Sequence, residues 1–470
     1  MEKVSYKKAG TYYFVGTLFN KGISFLTVPV FTRILTTSDY GIATTYESWA
    51  TILSMVMGFA IYMGIRAAFI DYPNEIDDFL AVSTTFTLMC GAIICLFVGG
   101  GALLLDINIE ITLIFLCLVQ GLASALIQNY SMYLMMQYRY KFRTALMVLP
   151  NLVGSIFSIL AILFIINNKL YMGKIVPHAL VIIGFATLTV VLVYKKSHML
   201  FNKEYLTYAL KISAPLVLHG IALNILSQSD RTMITWLADS SQTGIYSLVY
   251  NFSMVATVIT TSMEGVWVPW FTEKLKKREI NAINSMSKNY INLMTYAMIC
   301  VILLGPEVVK LLAAKSYWEG ISIIPPVVLA NYVIFAYTMY VNIEHFHKKT
   351  LYITKNTLIA AGSNLILNYI LIPYFGYVAA AYTTLVSYLI AFILHAKYAK
   401  KLEPDVYPLK SFLPPLLNIF GAVVIFYIFE NVWFIRWVIL LVYMLIVLYK
   451  ERNIIREFLG PMLKKMTHKD

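Results

Sequence analysis

Charged side chains are scarce in this sequence. Asp, Glu, Lys and Arg together make up 13% of it, about half the share of a soluble globular domain. Apolar residues make up 59%, against roughly 45–50% in soluble proteins, and the mean hydropathy is +0.72. Long polar stretches are lacking too, so no segment remains to fold as a water-soluble catalytic domain. Cysteine is rare: Cys90, Cys95, Cys117 and Cys300 are the four. All lie in apolar runs without the paired spacing of a zinc site, read as packing residues, and no metal site is expected. The phosphate-cradling G-x-x-x-x-G-K-[ST] pattern is absent, so this chain is not expected to hydrolyse ATP itself. No cofactor is expected. The sequence does not begin with a short apolar run and a small-residue cleavage site, and the first helix is expected to stay.

What is present in quantity is apolar sequence. Windows of about 20 residues, each able to span a hydrocarbon core of roughly 30 Å, recur along the chain. The expected fold is an all-α polytopic membrane protein of about 14 transmembrane helices. The second window covers 40–70, the sixth 175–194, and the eleventh and twelfth 351–373 and 376–398. Acidic residues number 24 against 37 Lys and Arg, a net charge of +13. The basic clusters are Lys7-Lys8, Arg139/Lys141/Arg143, Lys195-Lys196, Lys274/Lys276/Lys277/Arg278, Lys348-Lys349, Lys400-Lys401 and Lys464-Lys465. They fall in every second loop. The loop after the second window is the weak member, because Arg66 shares it with Asp71, Glu75, Asp77 and Asp78. This positive-inside pattern places the N- and C-termini in the cytoplasm. Membrane lipids are expected partners through such clusters; nucleic acid is not.

The chain repeats itself weakly. "TRILTTSDYGIATTYESW" (32–49) parallels "TWLADSSQTGIYSLVYNF" (235–252), pairing Leu35 with Leu237 and Gly41-Ile42 with Gly244-Ile245. Gly154-Ser155 likewise matches Gly362-Ser363. An even number of spans per copy gives both copies one orientation, with a substrate site expected between them. The expected organisation is an N-terminal six-helix bundle (1–197) and a C-terminal six-helix bundle (198–402), related by pseudo-symmetry. Residues 403–470 would add two extra C-terminal helices and a cytoplasmic basic tail.

Polar residues form stripes on particular helices at about 100° per residue. The first window carries Thr17, Asn20, Lys21, Ser24 and Thr27 on one face; the second carries Thr44, Glu47, Ser48, Thr51 and Ser54, ending at Arg66. The seventh carries Ser213, Gly220, Asn224, Ser227, Gln228, Arg231 and Thr235, and the eighth Ser247, Tyr250, Asn251 and Thr257, with Glu264 at the margin. Hydroxyl faces serve helix packing. Ionised groups at depth are costly and need each other or water. An ion-pair network is one solution. The other is a hydrated cavity in which Lys21, Arg66, Arg231 and Arg33, aided by Asn20, Asn224 and Gln228, bind an anion such as a phosphate, while Glu47, Asp230 and Glu264 bind a coupling H+ or Na+. Smaller features read as structural. Glu344 and His347 in "EHFHKK" cap a helix rather than hold a metal, Glu307 and Lys310 form a one-turn pair, and Trp267, Trp270, Trp433 and Trp437 are interfacial anchors.

"PVFTRILTTSDYGIAT" (29–44), with Pro29, Arg33 and Tyr40-Gly41, resembles the start of polysaccharide flippases of the Wzx type, within the multidrug, oligosaccharidyl-lipid and polysaccharide exporter superfamily. "NLILNYILIPYFGYVAAAYTT" (364–384) resembles a second hallmark of that family. The resemblance covers roughly residues 5–400. It implies two six-helix bundles, a central cavity lined by helices one, two, seven and eight, and alternating access. It also implies carriage of undecaprenyl-diphosphate-linked oligosaccharide to the outer leaflet of the bacterial plasma (inner) membrane, for capsule or another surface polymer. Polysaccharide polymerase and glycosyltransferases would be pathway partners. Lys21, Arg66 and Arg231 are the positions that match a diphosphate-binding role. Three alternatives stand beside it: a cation-coupled multidrug exporter of the same superfamily, a membrane-embedded polysaccharide polymerase or ligase, and a passive scaffold or scramblase. The first would favour carboxylates and aromatics in its cavity, and the second a sizeable outer loop.

Overall fold

A computed structural model describes residues 6–104, 110–253 and 255–452. Some side chains within its helices lie outside that description, Lys21 among them. The described residues are helical, with no strand among them.

The first part of the chain forms α1 (Tyr6–Ile34), α2 (Thr37–Gly58), α3 (Ile61–Asp71) and α4 (Ile76–Ile94), which passes through a π-helical turn at Cys95–Gly99 into α5 (Gly100–Leu104). Then follow α6 (Ile111–Met136), α7 (Tyr140–Phe164) and α8 (Leu170–Tyr194). The second part forms α9 (Lys203–Leu237), α10 (Ser240–Ser253), α11 (Val255–Lys276), α12 (Ile280–Leu312), α13 (Ile324–Phe346) and α14 (Thr350–Leu402). A hairpin of α15 (Leu413–Ile428) and α16 (Trp433–Lys450) follows. The chain runs back and forth between two faces. The near face is where α1 begins and α8, α14 and α16 end; the far face is where α1 ends and α2 and α10 begin.

Among the described residues, ten helices are long and apolar enough to cross a membrane, or eleven if the bent pair α2 and α3 is one span. The sequence windows indicate about 14, and part of the difference has a structural cause. Helix α14 counts once, although Gly376 (φ 57°, ψ −144°) divides it into two legs. The first and seventh windows fall on α1 and α9, parts of which lie outside the described residues.

Local chemistry sets the breaks. Thr36 caps α2 in a reciprocal box: its Oγ1 accepts from Asp39 N at 3.0 Å, and Asp39 Oδ2 accepts from Thr36 N at 3.4 Å. The second window is not one straight helix. Phe59 and Ala60 are both left-handed (φ 49° and 50°), and α3 leaves at 42° to α2. The Ala60 carbonyl, which accepts from Met63 N at 2.9 Å, also accepts from Ser213 Oγ of α9 at 3.0 Å. At Gly376 the freed amide of Tyr377 donates to Gln242 Oε1 of α10 at 3.0 Å. Each break is thus met by a polar side chain from a neighbouring helix, as a helix interrupted away from water requires.

The largest apolar core is built mainly from α10 to α14 and takes Phe31, Leu35 and Tyr40 from the first half. Trp267 belongs to it, only 6% exposed and packed between Trp270, Phe271 and Tyr290. It is a core residue, not an interfacial anchor, whereas Trp433 and Trp437 are exposed. Glu307 does not pair with Lys310. It accepts from Arg436 and from Trp437 Nε1, fastening α16 to α12, and Lys310 lies over the Trp318 ring.

The two halves meet at both faces. At the far face α2 and α10 touch backbone to backbone: Thr37 Oγ1 and Ser241 Oγ are 2.5 Å apart, and Ser38 Oγ and Ser240 Oγ 2.7 Å. Gly41 and Gly244 make this approach feasible, since a Cβ on Gly41 would lie 1.7 Å from Ser240 O and one on Gly244 2.0 Å from Thr37 O. At the near face, tyrosines of α9 and carboxylates after α3 clasp each other. Tyr205 donates to Glu75, Tyr208 to Asp71, and Tyr72 to Glu204 Oε1 at 2.9 Å. Of the acidic residues that weaken the basic pattern in this loop, Asp71 and Glu75 therefore hold α9, while Asp77 and Asp78 bond Lys196 and Ser197 after α8.

Candidate functional site: a polar cavity between the halves

A cavity of about 520 Å³ lies between these two contacts. One wall comes from α1, α2, α7 and α8 and the other from α10, α11 and α12. Helix α9, which corresponds to the seventh window, is not part of the lining. Its stripe instead packs on α2: Thr45 and Thr235 hydroxyls are 2.8 Å apart, and Ser48 donates to Gln228 Oε1 at 3.1 Å. Asn224 donates to Gly220 O within its own helix. The stripe on α9 is thus a packing seam, which polar side chains serve well in a membrane.

The charged centre of the cavity is an ion pair of which the sequence stripes include Glu47 and leave out Lys174. Lys174 stands four residues into α8, and its Nζ lies 2.6 Å from Glu47 Oε1 on α2. The lysine side chain is 11% exposed and the carboxylate 48%, so the amine is enclosed and the acid faces the opening. Tyr40 and Phe31 flank the ammonium, with ring centroids 5.1 and 5.5 Å away, within reach of a cation–π attraction. Ser158 Oγ donates to the Lys174 carbonyl at 2.7 Å, fixing the first turn of α8. His178, one turn further along α8, lines the same cavity. Gly154 lets α7 approach it, because a Cβ there would lie 2.5 Å from His178 Cδ2. The sixth window opens at 175, one residue past Lys174. The signal available was a lone lysine followed by Pro177 and His178 at the edge of an apolar run, since such a group at depth marks a site by default.

Glu47 is accordingly one of the expected site residues that line the cavity. Asn20 reaches the wall indirectly, its Oδ1 accepting from Asn151 Nδ2 at 2.7 Å. Arg231 is 5% exposed and lies one layer behind. Its guanidinium donates to Asn251 Oδ1 at 3.4 Å, and Asn251 lines the cavity. It also donates to Gln228 Oε1 and Ser227 O at 3.1 Å and covers the Tyr250 ring at 4.9 Å. All these partners are neutral. Arg66 is exposed on α3 toward the near face, and Arg33 at the far face donates to Pro29 O and Leu311 O. Neither lines the cavity. The Lys21 side chain lies outside the described residues.

Asp230 is fully buried in the second half, among α9, α10 and both legs of α14. Tyr246 Oη donates to it at 2.6 Å, Asn368 Nδ2 at 2.7 Å and Thr384 Oγ1 at 2.7 Å. Asn364 closes the shell, accepting from Asn368 at 3.2 Å and donating to Thr384 at 3.4 Å. None of the donors to Asp230 is charged. Glu264 borders a narrow niche with Trp267, Tyr290 and Asn342. Glu344 and His347 do not converge: Glu344 pairs with His395, and His347 with Glu403. No group of three metal-type ligands occurs among the described residues.

Apolar helices long enough to cross a membrane, packed about a cavity with a charged pair at its centre, define a multi-pass membrane transporter fold. The family model described as "Polysaccharide biosynthesis protein" matches residues 7–275, more than half of the chain. The chain belongs to the polysaccharide biosynthesis protein family. It matches no curated protein sequence. Among solved structures it is similar to the lipid II flippase MurJ in an inward closed conformation, with TM-score 0.67, 17% identity, and 94% of this chain and 99% of that one covered. It is also similar to multidrug resistance MATE transporters of the MOP superfamily. The inward-facing form gives TM-score 0.55 at 13% identity over 83% of this chain and 96% of that one; the outward-facing form gives 0.53 at 13% over 84% and 95%. At these identities the likeness is one of fold.

Proposed function

We propose that this protein is a flippase that carries undecaprenyl-diphosphate-linked oligosaccharide repeat units from the cytoplasmic to the outer leaflet of the bacterial plasma membrane, for capsule or another surface polysaccharide. The bundles 1–197 and 198–402 rock against each other in alternating access, with the termini and the near face cytoplasmic. The observation that carries the reading is the Lys174–Glu47 pair: an enclosed amine whose counter-ion faces a cavity shared by both halves. An ammonium so placed can meet a phosphate, and Asn151, Ser155 and Asn251 around it offer hydrogen bonds to sugar hydroxyls. Family membership supports the polysaccharide pathway, and a fold like that of a lipid II flippase supports a lipid-linked cargo. Lys21, Arg66, Arg33 and Arg231 supply further positive field along the route. Asp230, buried and held by neutral donors alone, is the coupling carboxylate for H+ or Na+, with Glu264 and Glu47 as secondary positions.

Lys174→Ala is expected to abolish surface polysaccharide while leaving the protein level in the membrane unchanged, and Arg231→Ala and Lys21→Ala to do the same. Full export by Lys174→Ala at normal protein level refutes the site. The multidrug reading draws on Glu47 facing the cavity beside Phe31 and Tyr40, a set that also suits organic cations. A deletion strain hypersensitive to such cations but with intact surface polysaccharide favours it over the flippase.

A further inference from the structure

Lys174 Nζ carries three N–H donors, and among the described residues one oxygen receives it, Glu47 Oε1 at 2.6 Å. One turn further along α8, on the same face, His178 also lines the cavity, half-buried. Neither of its ring nitrogens has a hydrogen-bond partner among the described residues. Gly154 of α7 backs the ring, since a Cβ there would lie 2.5 Å from His178 Cδ2 and 3.2 Å from Cγ. Ser155, beside Gly154, lines the same wall, and its hydroxyl is likewise unpartnered among the described residues. Polar groups inside a protein ordinarily meet a partner. Here an imidazole, a hydroxyl and the spare donors of an ammonium face one cavity instead.

Glu47 is the only acidic side chain among the described residues lining that cavity. It is 48% exposed and Lys174 11%, so the acid can turn into the opening and keep its water while the amine stays enclosed. Losing the carboxylate without a replacement would strand the ammonium, at a high cost. The replacement must be another anion. A phosphate group brings negative charge and several acceptor oxygens, enough to meet an ammonium, an imidazole N–H and a hydroxyl together. The wall opposite is apolar, formed by Leu248 and Phe252 of α10 and Val309 and Leu312 of α12. A cavity with donors on one side and hydrocarbon on the other suits a phosphate ester that carries an apolar chain.

We propose that Glu47 is a stand-in for the phosphate of the cargo. An entering diphosphate ester displaces it from Lys174 and is held by Lys174, His178 and Ser155 together, with the first units of its prenyl chain on the apolar wall. This rests on the flippase reading and names how its site selects cargo. No covalent bond changes; one ion pair is exchanged for another. An uncharged sugar or a neutral lipid cannot make the exchange, because Lys174 would be left without a counter-charge, and an organic cation would meet the bare ammonium. His178 and Ser155 determine specificity, since they add hydrogen bonds to a phosphate that the Glu47 carboxylate does not use.

The test measures binding by calorimetry to the full chain in nanodiscs of zwitterionic lipid. The probes are dimethyl diphosphate, a diester whose charge is fixed near neutral pH, and geranyl methyl diphosphate, which adds a short prenyl chain. Glu47→Gln should bind dimethyl diphosphate about fivefold more tightly or better. Glu47→Asp keeps the charge but falls short of Nζ by about 1.5 Å, and it too should bind more tightly than the parent. His178→Phe should lose about tenfold, and the geranyl probe should bind the parent about tenfold more tightly than the dimethyl one. A Glu47→Asp protein that binds no more tightly than its parent overturns the displacement, since Coulomb repulsion alone then explains Glu47→Gln. Unchanged affinity in His178→Phe overturns the shared hold on the phosphate. Equal affinity for the two probes overturns the lipid-borne cargo and assigns the site to a soluble diphosphate. In the first two results diphosphate still binds, so the flippase reading survives them. Tetraphenylphosphonium bound by the parent, with no diphosphate bound by any variant, sinks both.

Discussion

The sharpest quantitative expectation concerns the far-face seal. An alanine or valine at Gly244 puts a Cβ 2.0 Å from Thr37 O, and one at Gly41 puts it 1.7 Å from Ser240 O. Both obstacles are backbone, which cannot swing aside. Restoring ordinary contact of roughly 3.5 Å requires α2 and α10 to part by about 1.5 Å. The hydroxyl pairs Thr37–Ser241 and Ser38–Ser240, now 2.5 and 2.7 Å, would stretch to about 4 Å, beyond hydrogen-bonding reach. Overpacking costs about 1–3 kcal/mol, and two interhelical hydrogen bonds in a membrane add about 0.6 kcal/mol each. The sealed arrangement therefore loses about 2–4 kcal/mol relative to one with the far face parted, a population shift on the order of 30- to 1000-fold. The assay is maleimide labelling in nanodiscs of a single cysteine at Leu248, which is buried and lines the cavity, with the four native cysteines replaced. Gly244→Val should speed labelling at least about tenfold. Gly184→Val is the control, because a Cβ there meets nothing within 4 Å. Equal labelling rates in a folded Gly244→Val protein and its parent would refute the reasoning.

Other expectations concern stability. Arg436, wholly buried, bonds Glu307 and Glu430 O; Arg436→Ala strands Glu307 and should cost about 3 kcal/mol in thermal unfolding of the purified protein. The double change Arg436→Met with Glu307→Met removes both charges and should recover most of that loss; a double variant no more stable than Arg436→Ala contradicts the account. Gly376→Ala forces a side chain into a φ of 57° and against Gln242 Oε1, which should cost about 2–3 kcal/mol. Combining it with Gln242→Ala should be less than additive, and full additivity would show that the two residues do not meet.

Much of the architecture was legible because its causes are local. Apolar runs mark helices, and Gly41 and Gly244, aligned by the internal likeness of the halves, turned out to be the residues through which α2 and α10 touch. The polar stripe on α9 was visible, but its partner was not. A face of Ser, Asn and Gln looks the same whether it meets water or the hydroxyls of α2, and only packing decides. Lys174 escaped because a lysine at the edge of an apolar run reads as the end of a span. Its reach to Glu47, 127 residues away, depends on how α8 docks. Asp230 was legible as a deep carboxylate, while its shell from α10 and both legs of α14 depended on the break at Gly376. Trp267 was misplaced for a similar reason: its position near a helix end suits a membrane interface, but α12 and α13 cover it.

The clasp of Tyr205, Tyr208 and Tyr72 on Glu75, Asp71 and Glu204 has a bearing on the conditions under which the protein works. A fastening of two opposite charges weakens as dissolved ions crowd in. A phenol is uncharged at any ordinary pH, so its grip on a carboxylate loses little when ions are added. Amid a face crowded with lysine and arginine, these three tyrosines hold the halves together with nearly the same firmness in dilute salt as in concentrated salt.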